Sequence, residues 1–407
     1  MQGGDLLSQW LSRWDNGKAV WYLKRLSAND TQATGGHQAG PYIPKSLLFH
    51  VFPELHRPEV KNPRVRFRLC IDSHGQEQES TAIWYNNRFS GGTRDEARIT
   101  NLGGEKSSAL LDPENTGALT AFVFFLASDG TAEVHVWVAR SVEEEEELEQ
   151  RFGPVEPGQT VIWPLLEEAL PRRRGCELAD DEIPQEWKEE FPTGEEILRK
   201  ALELCPERDT PVNDRLIKRR RCEFELFQSL ERFHELPRIR RGFSTVDEFL
   251  SHAQMVLQRR KARAGRSLEL HVRQLLLECG LRQGIDFEHG VTSDPGTRKT
   301  PDFLFPSLSA YRDPSFPAEK LKMLAVKTSC KDRWRQILNE ADRIRQKHLL
   351  TLQEGVSKHQ YEEMEQAGVI LVVPKPLHPK FPRCLQPKLL SFEQFLREIR
   401  PGWVGPT

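Results

Sequence analysis

Two short segments carry the residue types that phosphodiester chemistry needs. In TPDFLFP, residues 300–306, Asp302 follows Pro301 and opens a short apolar run; in MLAVKTSCKDRWRQILNEADR, residues 323–343, Lys327 closes a run of apolar side chains. A carboxylate and a lysine at the ends of two neighbouring strands can converge at one sheet edge. There the carboxylate can hold Mg2+ as a hard oxygen ligand, and the lysine can orient a water or stabilise charge on a scissile phosphate. Two residues before the lysine stands Ala325, which cannot supply a second metal-binding acid on that strand. Glu340 is the replacement candidate. Ile337 precedes it by three residues and Ile344 follows by four, so on a helix it borders the buried stripe and needs a metal or an arginine as partner.

Lys331, Asp332 and Arg333 follow Lys327 closely. The cations can donate to guanine O6 and N7 and the aspartate can accept from cytosine N4, together a reader of G·C pairs. The alternative is a charge cluster at a helix start with Asp332 as its cap. In RRRCEF, Arg220 and Phe224 are spaced i, i+4 on an expected helix and share a face. A guanidinium and a ring so placed can sandwich an extruded base; otherwise Phe224 is core and Arg220 meets phosphate.

The elements that must position these residues are legible in outline. Periodicity predicts helices over Asp214–Phe233, Val246–Arg263, Ser267–Cys279 and about Asp332–Leu350. Strands are expected at Asp302–Phe305, Met323–Val326 and Gly368–Val373, which makes residues 184–407 an α/β domain. Upstream, an amphipathic helix occupies the first 20 residues. Short β-type runs follow at Phe67–Ile71, Thr81–Tyr85, Leu119–Ala127 and Glu133–Ala139, so residues 1–170 read as a mainly β domain or barrel. The run Glu143–Glu147 is expected on a surface, and the stretch 171–183 has linker character.

The 407-residue length suits two or three domains. A net charge of −2 argues against a simple basic coat for nucleic acid, but it hides a segregation. Residues 141–200 hold 18 acids and 7 bases, whereas residues 211–270 hold 14 bases and 8 acids. Arginine dominates the basic part, as phosphate and guanine contacts favour, although such clusters are also ordinary solvated helix faces. Seven scattered cysteines without a CxxC pair speak against a zinc ribbon and are expected to be free thiols in a reducing cytoplasm. No apolar run spans a membrane and the N-terminus lacks a signal-peptide pattern, so neither a membrane nor export is expected.

The blocks AVKTSCKDRWRQILNEADRI, KTPDFLFPS, RRKARAGRSLELH, TLQEGVS, KRLSANDTQATGGHQAGPYIP and LLDPENTGALT resemble the EcoRII family of restriction endonucleases over nearly the whole chain. The resemblance implies a C-terminal PD-(D/E)xK nuclease core, dimeric and Mg2+-dependent, that cuts double-stranded DNA at 5′-CCWGG-3′ before the first C. It implies an N-terminal B3-like pseudobarrel that binds a second copy of the site and regulates cleavage. By the same resemblance Asp302, Lys327 and Glu340 are catalytic, with Mg2+ on the two carboxylates. Glu269, otherwise an ordinary helix-surface acid, and Tyr311 lie near them. Lys331, Asp332 and Arg333 read the C·G pairs, Arg220 and Phe224 hold flipped central bases, and His37, Tyr42, Arg94, Glu96 and Arg98 contact DNA from the N-terminal domain. Gly92 and Ala97 stand where the family has lysine, which should weaken phosphate contact there. A cognate DNA methyltransferase and a bacterial cytoplasmic location are further implications. A DNA-binding regulator that does not cut, and a mismatch- or junction-specific nuclease, are the rival readings.

Overall fold

A computed structural model describes residues 3–14, 19–35, 40–103, 107–126, 132–163, 175–294 and 299–400. The N-terminal half runs α1 (Gly3–Arg13), β1 (Val20–Arg25), α2 (Lys45–Val51), β2 (Arg64–Ile71), β3 (Gln76–Tyr85), β4 (Glu96–Thr100), β5 (Leu119–Leu126), β6 (Ala132–Val138), α3 (Val142–Phe152) and β7 (Thr160–Trp163). The seven strands form one sheet in the order β4-β3-β2-β6-β5-β1-β7. Every pair is antiparallel except β2 with β6. Alternation along β6 separates two cores. Val134, Val136 and Val138 join one cluster with Leu47, Phe67 and Trp84, while Trp137 joins the other with Leu7, Trp10, Trp21 and Leu148 from α1, β1 and α3. Both faces of the sheet are therefore covered, as a mainly β domain requires.

The C-terminal half continues with α4 (Gln185–Glu189), α5 (Gly194–Leu204), α6 (Val212–Arg241), α7 (Val246–Glu278), β8 (Glu288–His289), β9 (Phe303–Phe305), α8 (Leu308–Arg312), β10 (Lys322–Lys327), β11 (Lys347–Thr351), α9 (Lys358–Gln366), β12 (Val369–Val372) and α10 (Phe392–Ile399). The sheet order is β12-β11-β10-β9-β8. Strands β10, β11 and β12 are parallel, with β9 and β8 antiparallel at one side. Alternate residues again divide two cores: Met323, Ala325 and Leu349 face Trp334, Ile337 and Phe381, and Leu324, Val326 and Leu350 face Leu268, Val272 and Phe395 from α7 and α10. This is the α/β architecture expected for the C-terminal part.

Four local expectations are corrected. The two helices expected at 246–263 and 267–279 are one helix of 33 residues. Its single interior glycine, Gly265, costs only about 1 kcal/mol against alanine, too little to break the helix, and the buried face from Ser267 to Leu276 anchors its C-terminal part. The helix expected to reach Leu350 stops at Asn339 as a 3-10 turn over Asp332–Asn339, with no side-chain cap from Asp332. Ala341 takes a φ of +46°, which no helix continues, and the buried run after it pairs as β11. The glutamate run is not a surface stretch throughout, because Glu144 and Glu145 are buried in α3. Cys176 and Cys222 are joined as a disulfide, while Cys70, Cys205, Cys279, Cys330 and Cys384 are free; the linear sequence separates the two partners by 46 residues, so no motif announces them. Residues 171–174 of the linker-like stretch lie outside the described residues, and Cys176, Leu178 and Ile183 beyond them pack against the cluster that includes Leu226 and Phe227 of α6.

The two halves touch. Ala28 N–H donates to the Glu354 carbonyl at 2.9 Å. A side chain on Gly355, at φ +109°, would meet the Ala28 Cβ at 2.3 Å, so the close approach itself requires glycine.

Candidate active site and its cover

Antiparallel pairing of β9 with β10 sets Phe303 opposite Leu324. Asp302 therefore sits at the edge where β10 ends. Its Oδ2 accepts from Val326 N–H at 2.7 Å and lies 3.5 Å from Lys327 Nζ. Burial pushes the Asp302 carboxyl up, Lys327 pulls it down, and Glu269 on α7 pushes it up again. Glu269 is thus part of the same acidic neighbourhood, and its Oε2 lies 3.6 Å from His289 Nε2.

Glu340 enters from the end of the 3-10 turn rather than from a helix face. Two features aim it. Ala341 makes the sharp bend, and the buried Lys347 at the start of β11 donates to the carbonyls of Glu340, Ala341 and Ile344, the last two at 3.2 and 2.9 Å. Lys347 was not singled out from sequence; its signal was a lysine opening an apolar strand. Glu340 Oε2 is buried without a hydrogen-bond partner, and its carboxyl is pushed up to about 7 by burial first and by the Asp302 charge second. Two carboxyls raised together, one with an orphaned oxygen, are the donor chemistry that a hard divalent cation would take. Tyr311 is buried, and its hydroxyl donates to Asp294 at 2.8 Å and accepts from Arg343 N–H at 3.3 Å. It braces the backbone just past Glu340.

A cleft of about 630 Å³ opens in front of Lys327, lined by Glu269, Arg266 and Lys261 of α7, by Arg333, and by Val142 and Glu146 of α3. The N-terminal half closes over this region. Arg333 lies 4.0 Å from Glu145 and 3.8 Å from Glu149. Lys331 donates to the Ala139 carbonyl at 3.3 Å, and burial pulls its ammonium down although Glu145 opposes this. Asp332 pairs with Arg335 at 3.1 Å. Arg25 of β1 holds the occluding helix in place by binding Glu145 at 2.8 Å and Glu149 at 2.9 Å. Burial raises the Glu145 carboxyl, but Arg25 outweighs it and the net shift is downward, so the acid stays ionised.

Arg220 and Phe224 do share a face of α6, but Arg220 is not open to a base. It is 4 % exposed, bonded to Glu156 at 2.7 Å, to Glu223 at 2.9 Å and to Ser267 at 2.9 Å. Arg263 joins the same cluster through Glu156 at 3.0 Å and Glu223 at 2.8 Å, and its guanidinium covers the Phe224 ring at 4.7 Å. Burial opposes the charge on Arg220, yet Glu156 and Glu223 hold it protonated. Glu156, Glu145 and Glu149 were missed as individuals. Their only trace in the sequence was the acidic excess of 141–200 against the basic excess of 211–270.

On the N-terminal sheet, Glu96 of the edge strand β4 pairs with Arg94 at 2.6 Å and with Arg98 at 3.0 Å, and Arg94 lies over the Tyr85 ring at 4.3 Å. Tyr42 is 58 % exposed and its backbone N–H donates to Asp30. His37 lies outside the described residues. Ala97 is buried on the core side of β4, away from Glu96 and Arg98, and a side chain at Gly92 would strike Asn87 at 2.6 Å.

A carboxylate–lysine site at the end of a central strand, in an α/β sheet flanked by a second β domain, defines a nuclease of the restriction-endonuclease class. Two family models match, "Restriction endonuclease EcoRII, N-terminal" over residues 15–167 and "EcoRII C terminal" over residues 227–396. The chain is 44% identical over 391 residues to the type II restriction enzyme EcoRII of Escherichia coli, covering 93% of each. Among solved structures it resembles the restriction endonuclease PspGI–substrate DNA complex (18% identity, 55% of this chain and 96% of that one, TM-score 0.42). It also resembles the B3 domain of the UbaLAI restriction endonuclease with cognate DNA (20% identity, 39% of this chain and 98% of that one, TM-score 0.28). The chain belongs to the EcoRII family of type II restriction enzymes.

Proposed function

We propose that this enzyme cleaves both strands of DNA at 5′-CCWGG-3′, before the first C, with Mg2+, and that binding of a second copy of the site by its N-terminal domain releases the catalytic domain. The observation that carries the regulatory part is the pairing of acids of the N-terminal half (Glu145, Glu149, Glu156) with Arg333, Arg220 and Arg263 of the catalytic half. Those cations are the groups DNA needs, so the closed protein and the DNA-bound protein compete for one surface. The domain division that follows is 1–170, a connecting stretch at 171–183, and 184–407.

In the released enzyme, Asp302 and Glu340 would hold the cation, which would supply charge neutralisation at the phosphate. Lys327 orients the attacking water and offsets negative charge as it develops, Glu269 tunes the acidic neighbourhood, and Tyr311 holds the segment that delivers Glu340. Lys331, Asp332 and Arg333 read the C·G pairs; Arg220 and Phe224 receive the flipped central bases. On the N-terminal domain, Tyr42, Arg94, Glu96 and Arg98, with His37, contact the effector site. Coupling has a short route. Arg25, which grips α3, and Ala28, which touches Glu354, both lie in the stretch of sequence that leads to His37 and Tyr42. The working unit is a homodimer on double-stranded DNA, with a cognate methyltransferase protecting the host sites.

The test is incubation with a plasmid carrying several CCWGG sites, with and without Mg2+, followed by sequencing of the ends. Ends confined to CCWGG before the first C support the proposal. Binding without Mg2+-dependent cutting would favour a regulator, and cutting at junctions regardless of sequence would favour a structure-specific nuclease.

A further inference from the structure

A buried nitrogen beside the catalytic edge has no role in the site as built from Asp302, Lys327, Glu340 and Glu269. It belongs to His289, the last residue of β8, which pairing with β9 sets opposite Phe303, the residue after Asp302. The imidazole stacks on the Phe303 ring at 4.8 Å and 19°. The next residue, Gly290, donates its N–H to the Asp302 carbonyl at 3.0 Å. The ring is therefore fixed by the same strand pair that fixes Asp302. Its side chain is 8 % exposed, its Nε2 has no hydrogen-bond partner, and Glu269 Oε2 stands 3.6 Å away. That separation is just longer than a hydrogen bond. A buried nitrogen without a partner is costly, and one that faces a carboxylate oxygen is useful only as a donor.

We infer that His289 is a positioning residue of the cleavage reaction: its Nε2–H closes on Glu269 Oε2 and holds that carboxylate at the Asp302–Lys327 edge, leaving Oε1 to the cleft. The inference deepens the nuclease reading and rests on it. Glu269 needs such a tether. It comes from a separate element, α7, between the buried Leu268 and Leu270, and its side chain is 22 % exposed. It lies close enough to Asp302 to add to the upward push that burial gives the Asp302 carboxyl. Repulsion between the two acids drives Glu269 outward, toward Arg266 and Lys261, which line the same cleft. A donor on a paired strand, with its ring stacked flat, opposes that swing with a fixed direction. Outer donors that orient a carboxylate beside a cation change metal affinity or activity by about 10- to 100-fold.

The test compares three full-length variants. His289→Phe keeps the stacked ring and removes the donor, His289→Gln carries an amide that reaches the Nε2 position, and His289→Asn carries one that falls short of it. On a plasmid with several CCWGG sites, kcat should fall about tenfold in His289→Phe and His289→Asn at unchanged KM for DNA, and recover in His289→Gln. Without DNA, the Mg2+ concentration that gives half of the Mg2+-induced rise in thermal midpoint should increase in the first two variants and not in His289→Gln. Because His289 acts through Glu269, His289→Phe should add nothing to the Mg2+ response of a Glu269→Gln chain. Wild-type kcat and Mg2+ response in His289→Phe and His289→Asn, no recovery in His289→Gln, or a full further change on top of Glu269→Gln would overturn the inference. If His289→Phe does not fold, the contrast between His289→Gln and His289→Asn decides. Failure of the nuclease reading is seen separately, as a wild type that does not cut DNA with Mg2+.

Discussion

Replacing Glu156 with alanine should open the enzyme without touching its catalytic groups. In the closed form Glu156 is 8 % exposed and its Oε1 accepts from both Arg220 and Arg263. Glu223 also binds both guanidinium groups. Removing Glu156 leaves two buried cations on one carboxylate. Breaking a buried ion pair by deleting one partner costs about 3–5 kcal/mol; Glu223 remains, so about 2–3 kcal/mol is the reasonable share. That cost falls on the closed form alone, because in the open form the arginines are solvated or on DNA. At about 1.4 kcal/mol per tenfold, the closed-to-open equilibrium shifts by roughly 30- to 150-fold. The assay is the initial cleavage rate of a linear duplex with a single CCWGG site, with no second site added. Glu156→Ala should raise that basal rate at least tenfold and lose most of its stimulation by an added site-bearing oligonucleotide. A folded variant whose basal rate and stimulation equal those of wild type would refute the claim that this cluster holds the enzyme shut.

Lys327→Ala should abolish cutting while CCWGG binding stays measurable by gel shift; retained cutting would remove Lys327 from its role. Glu340 predicts a pH signature. Its carboxyl is raised from 4.5 to about 7, so without a cation folding stability falls as pH rises from about 4.5 to about 7, by at most about 3 kcal/mol. A cation that binds the ionised form removes this penalty, and Mg2+ should raise Tm more at pH 8 than at pH 5.5, with the difference lost in Glu340→Gln. Equal Mg2+ shifts at both pH values would contradict the assignment. Deleting residues 1–183 should yield a nuclease that cuts single-site DNA without stimulation; a folded but inactive fragment would contradict the inhibitory role of the N-terminal half.

What was legible in the sequence was whatever is local. Alternation of valines in 134–138 announced β6, and apolar runs announced β9, β10 and β12 together with Asp302 and Lys327 at their ends. What was not legible depends on partners far along the chain. The run at 143–147 looks like solvated acid until Arg25, some 120 residues away, is placed against it. Arg220 looks free for a base until Glu156, 64 residues away, is found on it. The path of Glu340 was misjudged for another reason: helical spacing continues past Asn339 on paper, but Ala341 bends the chain and Lys347 ties the bend down. Even so, the charge segregation between 141–200 and 211–270 was visible as a sum, and the structure resolves it into individual ion pairs.

The competition between the N-terminal half and DNA is tested most directly by titrating a short CCWGG duplex into wild-type enzyme acting on a single-site substrate. The cleavage rate should rise with the added duplex and approach the unstimulated rate of Glu156→Ala, while a duplex with a scrambled site has no effect. A rate that is already maximal without the duplex, or that only falls as the duplex is added, would show that the closed arrangement does not govern the enzyme.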